Sequence, residues 1–284
     1  MRPFSINFGK FRCDILSDGV WRFDGGCIFG IVPRSIWEKF TIPDACNRIK
    51  LGLNSILLRD GRNTILVETG VGSKIAPKRR AWHDIGESAL LAQLAAVDCA
   101  PQSIDTVILT HLHFDHTGGS TTFDARGEVV PTFPKARYIV QSAEWDDAVN
   151  PSPQTRGGYL PEDFLPLGES GQLELAHGEV EVVPGVNLLP TGGHTRGHQV
   201  VLVESGGRTL CYTGDLIPLA AQLKPLYMTA FDLYPTDTFS MKTRLVNRAV
   251  EQDWLLVLGH DEDYPLIRVV RADNGFAFEV PAVT

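Results

Sequence analysis

Within Thr110-His111-Leu112-His113-Phe114-Asp115-His116-Thr117-Gly118-Gly119, three of the chain's eight histidines and one carboxylate occupy six consecutive positions. Imidazoles and a carboxylate at that density are donors for metal ions. Residues 106–109, Thr-Val-Ile-Leu, are β-branched and apolar and predict a buried strand immediately upstream. In extended chain, residues two apart project to the same side. His111 and His113 can therefore face one cation while a turn from Phe114 swings Asp115 and His116 toward a second. Gly118 and Gly119 permit a tight turn beneath the ligands, where a side chain would collide or φ would have to be positive.

The same device recurs downstream. A glycine-rich loop, Thr191-Gly192-Gly193-His194-Thr195-Arg196-Gly197-His198, separates strands expected over 186–190 and 199–204. A strand over 208–213 ends in Gly214-Asp215, and one over 254–258 ends in Gly259-His260. The combined set is His111, His113, Asp115, His116, His194, Asp215 and His260. Its five imidazoles and two carboxylates are too many for one tetrahedral ion and suit two divalent ions sharing a bridge. A water between two dications loses its proton near neutral pH and becomes a nucleophile without a side-chain base. One ion can polarise a carbonyl or phosphoryl oxygen, the other can stabilise the departing oxygen, and Asp115 can relay a proton. Asp115 and Asp215 are the candidate catalytic residues, and the reaction class is hydrolysis.

Other elements must bring these strand ends together. Residues 1–22 alternate polar and apolar and reach Asp18-Gly19, which predicts an opening hairpin with its turn there. Residues 23–43, punctuated by glycine and proline, predict a loop with a short helix that flanks a pocket, meets a partner chain or covers a sheet edge. Strands over 54–58 and 64–67 join at Asp60-Gly61 and lead to Glu68, the candidate to hold a ligand histidine by its free ring nitrogen. A helix over 88–96 has Leu90, Leu91, Leu94 and Ala95 on one face. Then come a strand over 136–141, a helix from Ser142, a Pro- and Gly-rich loop over 150–171 long enough to be a lid or rim, and a strand over 179–183. Strand groups before and after residue 140 suggest two similar halves, and the β-α-β order suggests sheet layers covered by helices. Phe29, Tyr227, Met228, Phe231 and Tyr234 are candidates for a pocket wall, with ordinary core as the alternative.

The 284 residues, 43% of them hydrophobic, provide material for a sizeable core. A formal net charge of -8 argues against a nucleic-acid surface, which needs clustered Lys and Arg. No stretch approaches the ~18–20 apolar residues of a membrane span, and the first residues lack the apolar core of a signal peptide, so a cytoplasmic protein without membrane contact is expected. Five scattered cysteines without a close pair indicate neither a disulfide framework nor a zinc ribbon.

The pattern HLHFDH, GGHTRGH, TGD and a late GHD resembles the metallo-β-lactamase superfamily of hydrolases, and its wording is closest to the compact acyl-homoserine lactonase and organophosphate hydrolase-like group. The resemblance implies a single α/β domain over 1–284. Its architecture would be a four-layer αββα sandwich of two packed mixed β-sheets flanked by helices, with the site at one edge. It further implies that His111, His113 and His194 hold one metal, that Asp115, His116 and His260 hold the other, and that Asp215 bridges them. Zinc is the default ion, and cobalt, manganese or iron suit the same donors. His198 is implied to be a structural, hydrogen-bonding histidine, while His83 and His177 match no role and are read as surface groups. Relatives generally carry Asp where Glu68 stands. Asp215 counts against antibiotic hydrolysis, since the superfamily's β-lactamases generally lack the bridging aspartate. The 24 residues after His260 leave little room for the helical domain of glutathione-thioester hydrolases. The expected reaction is opening of a lactone, as in quorum quenching, or cleavage of aryl esters and phosphotriesters. The expected partner is a small-molecule substrate, with a homodimer contact through 23–40 admitted. The alternatives are an iron-dependent oxidoreductase or dioxygenase on the same fold, a thioester hydrolase of glyoxalase II type, and a non-catalytic metal-binding protein that would lack a ligand.

Overall fold

Sixteen strands and eight α-helices organise the chain, seen in a computed structural model that describes residues 1–273 and 275–282. The strands are β1 (Phe4–Phe8), β2 (Phe11–Asp24), β3 (Arg48–Arg59), β4 (Thr64–Val67), β5 (Thr106–Ile108), β6 (Thr121–Phe123), β7 (Val129–Pro131) and β8 (Arg137–Gln141). They continue with β9 (Leu173–Ala176), β10 (Val180–Val183), β11 (Val186–Pro190), β12 (Gln199–Ser205), β13 (Arg208–Tyr212), β14 (Leu255–Val257), β15 (Leu266–Ala272) and β16 (Gly275–Glu279). The helices are α1 (Gly25–Phe29), α2 (Arg34–Trp37), α3 (Pro77–Trp82), α4 (Leu90–Ala96), α5 (Phe114–Thr117), α6 (Ser142–Val149), α7 (Pro161–Glu169) and α8 (Pro235–Glu251). One seven-stranded sheet runs β1-β2-β3-β4-β5-β8-β9 and the other β10 through β16 in chain order, both mixed, with β6-β7 a separate ribbon.

Alternation along the strands sorts the layers. Ile56, Leu58, Ile65, Val67 and Ile108 of the first sheet pack against Val201, Leu210 and Val257 of the second. Their neighbours Leu57, Leu66 and Val107 point the other way, into a layer with Leu94 of α4, Ala148 of α6 and Phe164 of α7. On the far side Val200, Cys211 and Leu256 meet Leu245, Val246 and Ala249 of α8. Both faces of both sheets are thus covered, which is why β5 and β14 read as unbroken apolar runs rather than as alternating ones. The result is the expected four-layer αββα arrangement.

Four expectations need revising. The first hairpin turns at Gly9-Lys10, and Asp18-Gly19 form a bulge inside β2, between the pairs Ser17 with Asn54 and Val20 with Gly52. The bulge turns the Asp18 carboxylate inward, where it accepts from the backbone of Gly72 (2.8 Å), Ala89 (2.9 Å) and Leu90 (3.0 Å), capping α4 from another part of the chain. The two sheets divide between β9 and β10, near residue 178 rather than 140. Residues 150–171 are not all loop, because α7 starts with Pro161 at its first turn, followed by Glu162 and Asp163, and buries Phe164 and Leu167. Pro166 inside it disguises the helix. The 17-residue α8 went unread, since its buried face mixes Thr238 and Lys242 with Leu245, Val246 and Ala249 and so dilutes the apolar period. No helix among the described residues is long and apolar enough to cross a membrane.

Lys242 is fully buried and donates through Nζ to the Tyr227 carbonyl at 2.6 Å, tying α8 to the 226–234 segment. Burial lowers its pKa from 10.5 to about 7. Between these values the unfolded chain holds the proton and the folded chain has lost it, so this group makes stability rise with pH across that window. Urea unfolding from pH 7 to pH 10 should show wild type gaining on Lys242→Met by up to about 1.4 kcal/mol per pH unit, whereas a constant gap would contradict the assignment.

Candidate metal centre

β5, β13 and β14 end at one edge of the sandwich, and the loop between β11 and β12 reaches the same place. His111, His113 and His194 bring ligand atoms within 4.8 Å of one another, as do His111, His116 and Asp215, and Asp115, His116 and His260. All seven residues expected from the sequence therefore converge. His113 Nδ1 lies 3.0 Å from His111 Nε2 and 3.1 Å from His194 Nε2. Asp215 spans the two halves, with Oδ2 3.2 Å from His194 Nε2 and Oδ1 3.3 and 3.1 Å from Nε2 of His116 and His260. Asp115 Oδ2 faces the same pair at 3.6 and 3.4 Å. Donors on a tetrahedral ion at 2.0–2.1 Å would stand about 3.3 Å apart, so these spacings fit coordination.

The outward ring nitrogens decide what points inward. His116 Nδ1 meets Glu68 Oε2 at 2.8 Å, His194 Nδ1 meets Asp232 Oδ1 at 2.9 Å, and His260 Nδ1 meets the Gly52 carbonyl at 2.8 Å. A carboxylate or carbonyl oxygen only accepts, so Nδ1 of His194 and of His260 carries the hydrogen and their Nε2 atoms present lone pairs to the centre, while Glu68 Oε2 is a close ionic neighbour of His116 rather than its hydrogen-bond acceptor. Among the described residues no hydrogen-bond donor meets the buried Asp215 Oδ1. Converging donors in a buried pocket are stabilised by positive charge between them, and this set of imidazole nitrogen and carboxylate oxygen could hold a divalent ion.

The electrostatics of the metal-free chain carry the same message. Burial and the neighbouring imidazoles hold His111 and His113 well below the ordinary histidine pKa. Burial opposes a charge on His116 too, yet Asp215, Asp115 and Glu68 push it well above, and Asp215 likewise raises His194 and His260. Despite burial, His116, His260 and His194 keep the Asp215 carboxyl well below its usual range.

Local structure explains the aim. Gly214 adopts φ +50°, and a Cβ there would lie 2.6 Å from His198 Nε2. That close approach lets His198 Nε2 accept from the Asp215 backbone at 3.0 Å while its Nδ1 meets Thr191 Oγ1 at 2.6 Å, the structural role expected of it. Gly118 is needed for space, since a Cβ would meet the Val71 carbonyl oxygen at 2.1 Å. Glu68 holds His116 as anticipated, and its Oε1 also accepts from the Thr110 backbone at 2.5 Å.

Two residues were missed. Asp232 lies beside Phe231 among the pocket-wall candidates and meets His194 Nδ1. Glu144, at the start of α6, is fully buried and accepts from the Leu112 backbone (3.0 Å), Tyr159 Oη (3.0 Å) and Thr195 Oγ1 (2.5 Å). It joins the segments that carry His111, His113 and His194. A Glu on the apolar-facing turn of a helix after a strand was the only signal for it.

The centre opens into a cavity of about 1190 Å³, reached by His113, Asp115, His194, Asp215 and His260. Its wall is largely apolar, with Trp21, Phe23, Ile28, Phe114 and Phe231, and Gln154, Thr155, Gly157 and Gly158 supply the expected rim. Of the five aromatic and Met candidates only Phe231 lines it. Phe29 is core, stacked on Trp37 at 5.6 Å, and Tyr227 packs near Phe40 at 6.3 Å. His177 is exposed, but His83 is not a plain surface group: it is half-buried in the cavity wall.

A sequence profile of the Metallo-beta-lactamase superfamily matches residues 49–260. A stretch of 170 residues, 56% of this chain, is 31% identical to an N-acyl homoserine lactonase of Bacillus cereus, covering 61% of it. Over 176 residues, 60% of this chain, identity is 31% to the N-acyl homoserine lactonase AttM of Agrobacterium fabrum, covering 63% of that protein. The chain thus spans about three fifths of the length of these curated relatives. A probable metal-dependent hydrolase from Staphylococcus aureus superposes with TM-score 0.90 at 29% identity, over 98% of this chain and 100% of its own. AidC, a dizinc quorum-quenching lactonase, shares the fold with TM-score 0.82 at 20% identity, over 100% and 98%.

Because His116, His194 and His260 have raised pKa values without metal, metal binding at neutral pH should expel protons and affinity should rise with pH. Calorimetric titration of metal-free protein in two buffers of different ionisation enthalpy measures this, and zero net proton release would contradict it. Glu144→Ala should weaken metal binding by about 10–100-fold, read by competition with a chromophoric chelator, while Glu144→Gln keeps most of the affinity.

Proposed function

The chain belongs to the metallo-beta-lactamase superfamily, and from that premise we propose that it is a dinuclear metal-dependent hydrolase that opens lactones or cleaves related esters. The observation that carries the reading is Asp215, whose two oxygens face separate clusters, Oδ2 toward His194 and Oδ1 toward His116 and His260. His111, His113 and His194 would hold one ion and Asp115, His116 and His260 the other, with Asp215 between them and zinc the default. Bound there, two dications supply Lewis acidity and a water acidified to near neutral pH. The residues do the rest. Glu68, Asp232 and the Gly52 carbonyl keep three imidazoles aimed, so little reorganisation accompanies reaction. Asp115 and Asp215 reach both the centre and the cavity, and in this reading Asp115 would carry a proton to the departing oxygen.

The cavity supports an amphiphilic small molecule rather than a polymer or a bare phosphate. Its apolar wall of Trp21, Phe23, Phe114 and Phe231 would cover an acyl chain or aryl group and keep stray water from the reacting carbonyl. The relatives named as N-acyl homoserine lactonases make such lactones the first substrates to try, with aryl esters and phosphotriesters as side activities. The whole of 1–284 would act as one domain.

Elemental analysis should find about two metal ions per chain, and Asp215→Ala should lose metal and drop lactone hydrolysis on the order of a hundredfold. A single iron per chain, with oxygen uptake and no hydrolysis, would turn the reading to oxidative chemistry.

A further inference from the structure

His83 is an imidazole in the cavity wall that the metal centre does not use. Its ring is fixed by aromatic neighbours. Phe23 stacks on it at 5.0 Å with an 11° interplanar angle, and Trp21 meets it edge-on at 5.4 Å and 61°. Trp21 in turn lies 6.0 Å from the His260 ring, and Phe114, next in chain to Asp115, stands 6.2 Å from His83. The imidazole is therefore separated from the centre by one aromatic layer. Its Nδ1 meets the Arg22 carbonyl at 3.3 Å. A carbonyl only accepts, so Nδ1 carries the hydrogen and Nε2 keeps its lone pair. Among the described residues no protein donor meets Nε2. Burial, with the charges of Arg79 and Arg48, lowers the pKa of His83, so this neutral form prevails at neutral pH.

Arg22, Arg48 and Arg79 line the cavity with His83 and can only donate, so the oriented Nε2 is an acceptor among donors and aromatic rings and favours a ligand that brings its own donor. We propose that His83 Nε2 is a specificity-determining acceptor for a hydroxyl carried on the apolar acyl portion of the substrate, away from the bond that is cut. The proposal rests on lactone or ester hydrolysis at the neighbouring centre. It is directional: a ketone at the same position would set lone pair against lone pair, so the wall separates hydroxyl-bearing from keto-bearing chains.

The test is kcat/KM for N-decanoyl-homoserine lactone and its forms bearing a hydroxyl or a ketone at the third carbon, or a hydroxyl at the chain end, with wild type, His83→Phe and His83→Gln. Wild type should prefer a hydroxylated chain over the plain and keto chains by about five- to tenfold, mainly through KM. In His83→Phe, which keeps the stack on Phe23 and loses the acceptor, the ratio should collapse to about one. His83→Gln, whose amide oxygen can accept near the same point, should recover part of it. Because each ratio compares substrates on one protein, general damage to a variant cancels. A hydroxyl preference that survives in His83→Phe, or no preference for either hydroxylated chain in wild type, overturns the proposal. Wild type that opens none of the lactones overturns the lactonase reading instead, and this inference with it.

Discussion

Lone pairs aimed at one another are the constraint on which the rest of this molecule depends. Nε2 of His116, His194 and His260 and the oxygens of Asp115 and Asp215 converge at 3.1–3.6 Å in a buried volume. Such an arrangement repels itself unless positive charge lies within it. Protons can supply that charge in the metal-free chain, which is what the raised His116 and lowered Asp215 reflect. Divalent ions supply it with directionality. The surrounding structure keeps the donors from relaxing apart.

That restraint is built where the two sheets meet. Between the layers the contact is apolar, but at the site edge it becomes a set of hydrogen bonds. Gln199 of β12 donates from its side chain to Leu109 (2.8 Å) and from its backbone to Thr110 (3.0 Å), and Tyr212 Oη of β13 donates to Asn54 of β3 at 2.6 Å. The His260 carbonyl accepts from the Gly52 backbone at 2.7 Å, while the Gly52 carbonyl holds the His260 ring. Each bond ties a ligand-bearing strand end to the other sheet. A slip of one residue in β5 or β14 would reverse every side chain and empty the centre, so core alternation and site geometry enforce the same register.

The cavity beside the centre follows a different logic. It is roomy and apolar, so it binds without imposing much direction, and the few polar groups that reach it must set orientation. Some belong to the centre, and Arg22, Arg48 and Arg79 add donors along the wall. His83 stands apart because its partner, the Arg22 carbonyl, leaves a lone pair over for a ligand.

All seven candidate ligands were legible in the sequence because each follows an apolar run, and a strand end is a place where short-range pattern and chemistry coincide. The strand positions and the candidacy of Glu68 came from the same source, while the αββα layering was implied by the family resemblance. What tertiary structure alone decided is what depends on distance in space rather than along the chain. Asp232 is 38 residues from the His194 it holds, Glu144 is 32 from Leu112 and 51 from Thr195, and Asp18 caps a helix 72 residues away. His83 looked like a surface group because no periodicity marks it, and only the packing of Trp21, Phe23 and Phe114 around it makes it a cavity wall. A carboxylate or imidazole reads alike in sequence whether solvated or buried. Folding alone determines which of them lose water, and hence which must find a partner.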